Sequence, residues 1–437
     1  MASLAPPAAA TPPSFVRALA PLLLLALVCA IGFTVLGSFG VVQEGAKKEL
    51  GLSDSSLGLI QGLGAAVPMV LFSIPIGVLV DRHNRVRLTI ALGLVWTLGT
   101  LLTAFASGVP VLIAARMLAG IGSTGALTCA LSLCADLCAP EQRGRALLIV
   151  NLGKALGQAA AFALSGWLFG LFARHAAPAW LDSVAPWRST HVALAILSAL
   201  LLLPLLLMRE PQRREVESRP DAPFRVIAHE LWSRRAFLGP LFAGQVAVVM
   251  ADVAAGVWVS PILSRNYDLQ PDEFGSWVGA VIFLAGIGGA IIGGASADIG
   301  QKSRIRGGLL IGAMAAAALG IPAALFPIMP GVLSFAAALF MLILCGSVTG
   351  IVVSVALTVL IPNEVRGLCI GAFIAIAGLI GFGLAPWLVT IVSGLLGGET
   401  HLAAALAIVG VTVSALSFLA FLLAMRRAPL AATEIPV

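Results

Sequence analysis

Twelve long apolar stretches dominate this chain, at about 18–42, 57–80, 88–107, 109–137, 145–172, 190–208, 237–263, 275–299, 307–328, 331–361, 367–396 and 401–425. Each is long enough to cross a bilayer, which takes roughly 20 residues of helix. Hydrocarbon offers no partner to backbone N–H and C=O groups, so such runs must close their hydrogen bonds internally, as helices. Short polar turns separate them. The clearest is Gly77–Leu88, which carries Asp81, Arg82, Arg85 and Arg87 between two runs too apolar to be anything but spans. The expected fold is an all-α membrane protein.

Composition agrees: 59% of the residues are hydrophobic and only 11% are charged, against roughly 25% charged in soluble domains. The net charge of +6 does not point to nucleic acid, because the basic residues sit in loops. The six cysteines (Cys29, Cys129, Cys134, Cys138, Cys345 and Cys369) all fall in apolar stretches and read as small packing residues. Cys134 and Cys138 share a helical face, but no histidine or further thiol completes a metal site. The first apolar run has only Arg17 before it and outlasts a signal-peptide core, so it reads as a span.

The polar turn after the second run has a weak echo. Gly294–Asp298 repeats the glycine four residues before an aspartate, with Lys302, Arg304 and Arg306 following. Each copy is followed by an Arg-Gly pair, Arg143-Gly144 at 62 residues and Arg366-Gly367 at 68 residues after its aspartate. Two pseudo-symmetric six-helix bundles are therefore expected. The division is 1–16 as an N-terminal tail, 17–208 and 237–425 as the bundles, 209–236 as the linker and 426–437 as a C-terminal tail. Placing the N-terminus inside puts 19 of the 26 Lys and Arg residues on the cytoplasmic side. That asymmetry predicts cytoplasmic ends for both tails, in a bacterial inner membrane. Repeated halves with a site between them near the midplane mark secondary transporters.

These residues resemble a known family. Gly77–Arg85 is similar to the loop signature G-x-L-x-D-R-x-x-R of the major facilitator superfamily, with Asn84 where glycine is usual. More narrowly, Gly51–Asp54, Ala115–Gly122, Glu141–Ala146 and Arg209-Glu210-Pro211 resemble the Spinster-like branch. The resemblance implies twelve spans and alternating access, with lysophospholipid-like or sphingoid-phosphate cargo. Two departures stand out. Spinster-like proteins are expected to carry an Asp-Arg pair in the first span, where this chain has Val35-Leu36, and a Glu after the fourth-span Arg, where it has Ser123.

Charges inside spans cost at least about 2.5 kcal/mol at a helix centre, so each marks a candidate site. Arg116 shares a face with Ser123. Lys154 aligns with Asn151 and Gln158, Asp252 with Gln245, and Ser354 and Thr358 keep register with Ser347. Such stripes are expected to line a central wet cavity. Arg116 and Lys154 are the candidate holders of an anionic head group, because guanidinium and ammonium match carboxylate and phosphate. An internal Asp252–Lys154 ion pair is the structural alternative. Asp252 is the remaining candidate proton carrier, with a fixed counter-ion as its alternative. Trp258 could stack on substrate or fill the core, and Gln43 and Glu44 could form a solvated rim or an outer gate.

Gly77, Asp81, Arg82, Arg85 and Arg87 are expected to latch the halves on the cytoplasmic side in the outward-open state. In that latch Asp81 caps the eleventh helix near Gly367, a loop arginine pairs with Asp136, and Asp298 is the degenerate counterpart. Pro68, Pro75, Gly378, Gly381, Gly383 and Pro386 could bend spans for gating.

The leading reading is a secondary active transporter of a small organic or amphipathic anion, working as a monomer in the bilayer with protons as candidate coupling ion. A proton-coupled multidrug exporter is the near alternative. An enzyme is not expected, since His83, His175, His191, His229 and His401 form no metal or triad pattern. No metal, cofactor or nucleic-acid partner is expected. A non-transporting receptor lacks an appended sensory domain, and an ATP-driven pump lacks its nucleotide loop.

Overall fold

Turn chemistry decides where the helices begin and end. In the computed structural model, which describes residues 15–175, 184–213, 232–303, 305–361 and 363–428, Asn84 caps the helix after the polar turn. Its side chain accepts from the Arg87 N–H at 2.8 Å, which is why asparagine serves where glycine is usual. Ser53 caps its helix in the same way, accepting from the Ser56 N–H at 3.2 Å. Gly51 sits at φ 63°, and Leu52 N–H reaches back to the Lys47 carbonyl at 3.1 Å. Glycine pays no Cβ penalty in that left-handed closure.

The twelve spans are α1 (Phe15–Leu50), α2 (Asp54–Arg82), α3 (Arg85–Ala104), α4 (Val109–Leu137), α5 (Arg143–Ala173), α6 (Pro186–Leu207), α7 (Arg235–Asn266), α8 (Pro271–Lys302), α9 (Gly308–Ile328), α10 (Val332–Leu360), α11 (Gly371–Leu395) and α12 (Glu399–Arg427). No strand occurs among the described residues. An even number of crossings puts both chain ends on one face, here named the ends face, opposite a far face. The tail before residue 15, the linker stretch 214–231, Arg304 and residues 429–437 lie outside the described residues.

The halves repeat one packing scheme. In the first, α4 lies against α2 and α3, and α6 against α3 and α1. In the second, α10 lies against α8 and α9, and α12 against α9 and α7. Across the halves α5 packs on α8 and α2 on α11, contacts that the same pseudo-twofold exchanges.

Glycines let these crossings come close. A Cβ on Gly62 would lie 2.4 Å from the Gly383 carbonyl oxygen, and one on Gly275 would lie 2.5 Å from that of Phe162. The proline and glycine positions in α2 and α11 do bend the chain. Four residues after Pro68, α2 breaks at Phe72. In α11, Ala377–Leu384 widens into a π-helix just before Pro386. Such wide turns are uncommon and accompany functional sites.

The apolar core shows how the halves meet. Near the far face one continuous core joins Phe39, Val42, Leu57 and Ile60 of the first half to Trp258, Ile262, Val389 and Leu406 of the second. Toward the ends face the core divides. Phe237, Leu241, Val352 and Phe421 pack within the second half, and Leu22, Leu25, Leu133 and Val150 within the first.

Candidate functional site

The first helix runs past its expected end at residue 42 to Leu50, because its polar last turns find partners in the other half. Gln43 is fully buried and donates to the Val257 carbonyl of α7 at 2.6 Å. Glu44 accepts from Arg265 at 2.6 and 3.1 Å. The same guanidinium grips Asp54 with a fork of two 2.7 Å bonds. Lys47 Nζ joins Asp54 at 2.6 Å and Glu399 at 2.5 Å, and Glu399 also accepts from the Asp54 N–H at 2.7 Å. Arg174 pairs with Asp272 nearby.

Three acids and two bases thus tie α1 and α2 to α7 and α12. Lys47 and Arg265 sit in the last turns of α1 and α7, and Asp54 in the first turn of α2. The helix dipoles favour each of these placements. Asp54 is 3% exposed in its side chain and Arg265 23%, so these bonds are shielded from the water that weakens surface pairs. Gln43 and Glu44, expected as a solvated rim or an outer gate, both bond to α7 across the halves. Sequence reading assigned no role to Arg265, Asp54 or Glu399, although Asp54 ends the quoted Gly51–Asp54 motif.

The polar turn on the ends face holds a second cluster. Arg85 is 2% exposed. It donates to Asp136 at 2.5 Å, to Glu210 at 2.7 Å and to the Ser132 hydroxyl at 3.2 Å. Glu210 also accepts from the Val86 N–H at 2.9 Å, capping the start of α3. Arg213 donates to the carbonyls of Val80, Asp81 and His83, closing the end of α2.

The expected arginine–Asp136 pair is therefore present, alongside the Arg265 network at the far face. Among the described residues, Arg85 finds its partners in the first half and at the entry to the linker, where it braces one bundle. Arg82, Arg87 and Asp298 are exposed, and Gly77 is half-buried. The side chains at the start of the eleventh helix, around Gly367 and Arg366, lie outside the described residues, and with them the expected Asp81 cap. Glu210 and Arg213 went unassigned in the sequence, although the Arg209-Glu210-Pro211 motif flagged the place.

Inside the spans, the candidate substrate residues separate into five places. Arg116 is 6% exposed and donates from Nη2 to the Leu36 carbonyl, with its guanidinium 5.8 Å from the Phe39 ring centre. Ser123, two turns on, donates to the Gly32 carbonyl at 2.7 Å. The two therefore pin α4 to consecutive turns of α1. At the place where a first-span carboxylate was expected, the Leu36 backbone oxygen serves as acceptor.

Lys154, half-buried on α5, lies 5.3 Å from the Phe33 ring centre. Asn151 and Gln158 beside it are exposed, and the Asn151 amide turns back to the Leu147 carbonyl at 2.9 Å. On α10, Ser354 and Thr358 are exposed and bond their own helix.

Asp252 points into the second half, against Gly346, where an added Cβ would fall 2.0 Å from the carboxylate. Gln245 is buried on the same helix. Trp258 is fully buried and donates to the Pro386 carbonyl at 3.0 Å. Arg116, Lys154 and Asp252 are thus not brought together, and no ion pair joins Asp252 to Lys154. Trp258 belongs to the core that seals the far face and offers no surface for stacking. Among the described residues no cluster of three His, Cys, Asp or Glu could hold a metal.

Comparison with known proteins places this geometry. The sequence model of the Major Facilitator Superfamily matches residues 22–386. Protein spinster homolog 1 of Xenopus laevis is 30% identical over 261 residues, 56% of this chain and 45% of that protein. The "Probable 4-methylmuconolactone transporter" of Cupriavidus pinatubonensis is 31% identical over 154 residues, 35% of this chain and 33% of that protein. The chain thus spans less than half the length of these curated relatives. Among solved structures, a bacterial homolog of the human lysosomal transporter Spinster, in an inward-facing and unoccupied conformation, superposes with a TM-score of 0.78. That match has 22% identity and covers 95% of this chain and 99% of the other.

Proposed function

The chain belongs to the Major Facilitator Superfamily, and from that membership we propose a secondary active transporter that moves a small organic or amphipathic anion by alternating access. The two rocking bodies are residues 17–208 and 237–425. The observation that carries the rocking is the apolar core, continuous between the halves near the far face and divided toward the ends face. Such a core fits a path that is sealed on one side and parted on the other.

The sequence assigns 19 of the 26 basic residues to the side of the chain ends, so the ends face is assigned to the cytoplasm and the membrane to the bacterial inner membrane. The described conformation is then inward-facing. Opening outward requires the Arg265 network to break and the glycine contacts of α2 on α11 and α5 on α8 to slide.

Cargo is assigned to the polar surface between the halves: Asn151, Lys154 and Gln158 on α5, with Ser354 and Thr358 on α10. Exposed polar side chains within spans line protein cavities rather than lipid. Lys154 supplies the charge for an anionic head group, with an aromatic ring as its neighbour and, among the described residues, no carboxylate paired to it. Arg116 and Ser123 are reassigned from cargo to bracing α1 against α4.

Purified protein in liposomes, offered a lysolipid, a small organic anion and a cationic drug, tests the assignment. Saturable flux of an anion that is lost in Lys154→Gln with folding intact supports it. Flux of the cation alone fits a drug exporter instead.

A further inference from the structure

Asp252 is a carboxylate inside the second half with no counter-charge from the helices around it. It lines a pocket between α7, α9, α10 and α12. The spans α9 and α10 contain no charged residue, and the charges of α12 past Glu399 are Arg426 and Arg427 at its far end. On α7 itself the nearest charges, Arg235 and Arg265, are 17 and 13 residues away. Cys345 is the other titratable group in the pocket wall. An ionised carboxylate so placed is costly unless something neutralises it.

The pocket wall supplies oxygens and little else that is polar. Thr349, Ser414 and Ser417 bring hydroxyls to the same space as Asp252. Ser417 is fully buried, and among the described residues its Oγ has no hydrogen-bond partner, nor has Oδ1 of Asp252. Thr349 Oγ1 donates to the Gly346 carbonyl at 2.8 Å, which uses its proton and leaves the oxygen as an acceptor. Gly346 allows the carboxylate to lie flat on α10, since any Cβ there would collide with it. The space measures about 10 Å³, roughly what one water-sized particle needs.

We propose that Asp252, Thr349, Ser414 and Ser417 form a binding site for a sodium-sized monovalent cation within the second half. One carboxylate and three neutral hydroxyls balance a single positive charge. A divalent ion of the calcium type takes six to eight oxygens and usually several carboxylates. A proton would neutralise Asp252 but leave the Ser417 hydroxyl unpartnered. The site is separate from the Lys154 surface, and only its coupling to cargo movement rests on the transport reading.

The test measures the unfolding midpoint of detergent-purified protein against rising sodium, with potassium or choline holding ionic strength constant, at pH 6 and pH 8. A ligand that binds the folded state raises the midpoint with the logarithm of its concentration. Sodium should raise it in the wild type, more at pH 8 than at pH 6 because protons compete for the carboxylate. The effect should vanish in Asp252→Asn and shrink in Ser417→Ala, a change small enough to preserve folding should Asp252→Asn not fold. A wild-type midpoint that answers to pH but not to sodium overturns the proposal in favour of a proton site. A sodium effect that persists undiminished in Ser417→Ala and in Asp252→Asn overturns it too. None of these readings depends on transport, so a failure to find cargo leaves the result standing.

Discussion

Arg265, in the last turn of α7, holds Glu44 of α1 with two hydrogen bonds, of 2.6 and 3.1 Å, across the boundary between the halves. Hydrogen bonds to charged groups are worth about 1.5–3 kcal/mol each. Arg265→Gln should therefore shift the balance of states toward far-face opening by a factor of about ten or more. Maleimide labelling of a cysteine placed at Leu57, buried in the far-face core, should accelerate accordingly. The charge-swapped pair Glu44→Arg with Arg265→Glu should restore only part of the closure, because it sets a second carboxylate against Asp54. Labelling that stays at the wild-type rate would remove the network from gating.

Glycine at position 62 is needed for the closed far face, since a Cβ there meets the Gly383 carbonyl oxygen at 2.4 Å. Gly62→Val should express normally and hold the far face apart, with transport lost. Cross-linking between cysteines on α2 and α11 should fall in parallel. Wild-type flux in Gly62→Val would mean that the two helices never need this approach.

Arg85 tests whether the polar turn latches or braces. Removing one partner of a buried ion pair costs about 3–5 kcal/mol. Arg85→Ala removes the guanidinium that Asp136 and Glu210 share and should lower the unfolding midpoint and the yield. Glu210→Gln should do the same more weakly, because Glu210 is the more exposed partner. A conformational latch would instead change labelling at Leu57 while leaving stability unchanged.

Arg116 and Lys154, both expected at the cargo, should part company on mutation. Arg116→Gln loses the bond to the Leu36 carbonyl that pins α4 to α1, and should lower stability. Lys154→Gln should leave stability within about 0.5 kcal/mol of wild type, as for substitutions without a buried partner, and should abolish anion transport. Equal loss of stability in both would return Lys154 to a structural role.

The spans and the repeat were legible because membrane crossing imposes a length and an apolar composition that nothing else mimics. The pairing of a loop arginine with Asp136 was also legible, since both lie at helix ends on one side. At the far face only Gln43 and Glu44 drew notice, as a rim or a gate, and their partners did not. Glu44 and Arg265 are 221 residues apart, and each alone reads as a charge at a span end. Arg116 misled for a different reason: its partner is a backbone carbonyl, which leaves no trace in side-chain patterns. For Asp252, helical register with Gln245 did not reveal which side of α7 faces the cavity, because α7 is buried nearly all round.

Flux in proteoliposomes bears most directly on the account. With a labelled organic anion or lysolipid outside, uptake should saturate, stop when cysteines at positions 44 and 265 are cross-linked, and fall to background in Lys154→Gln. A linear, unsaturable leak for every anion, or flux that continues with the far face cross-linked shut, would contradict it.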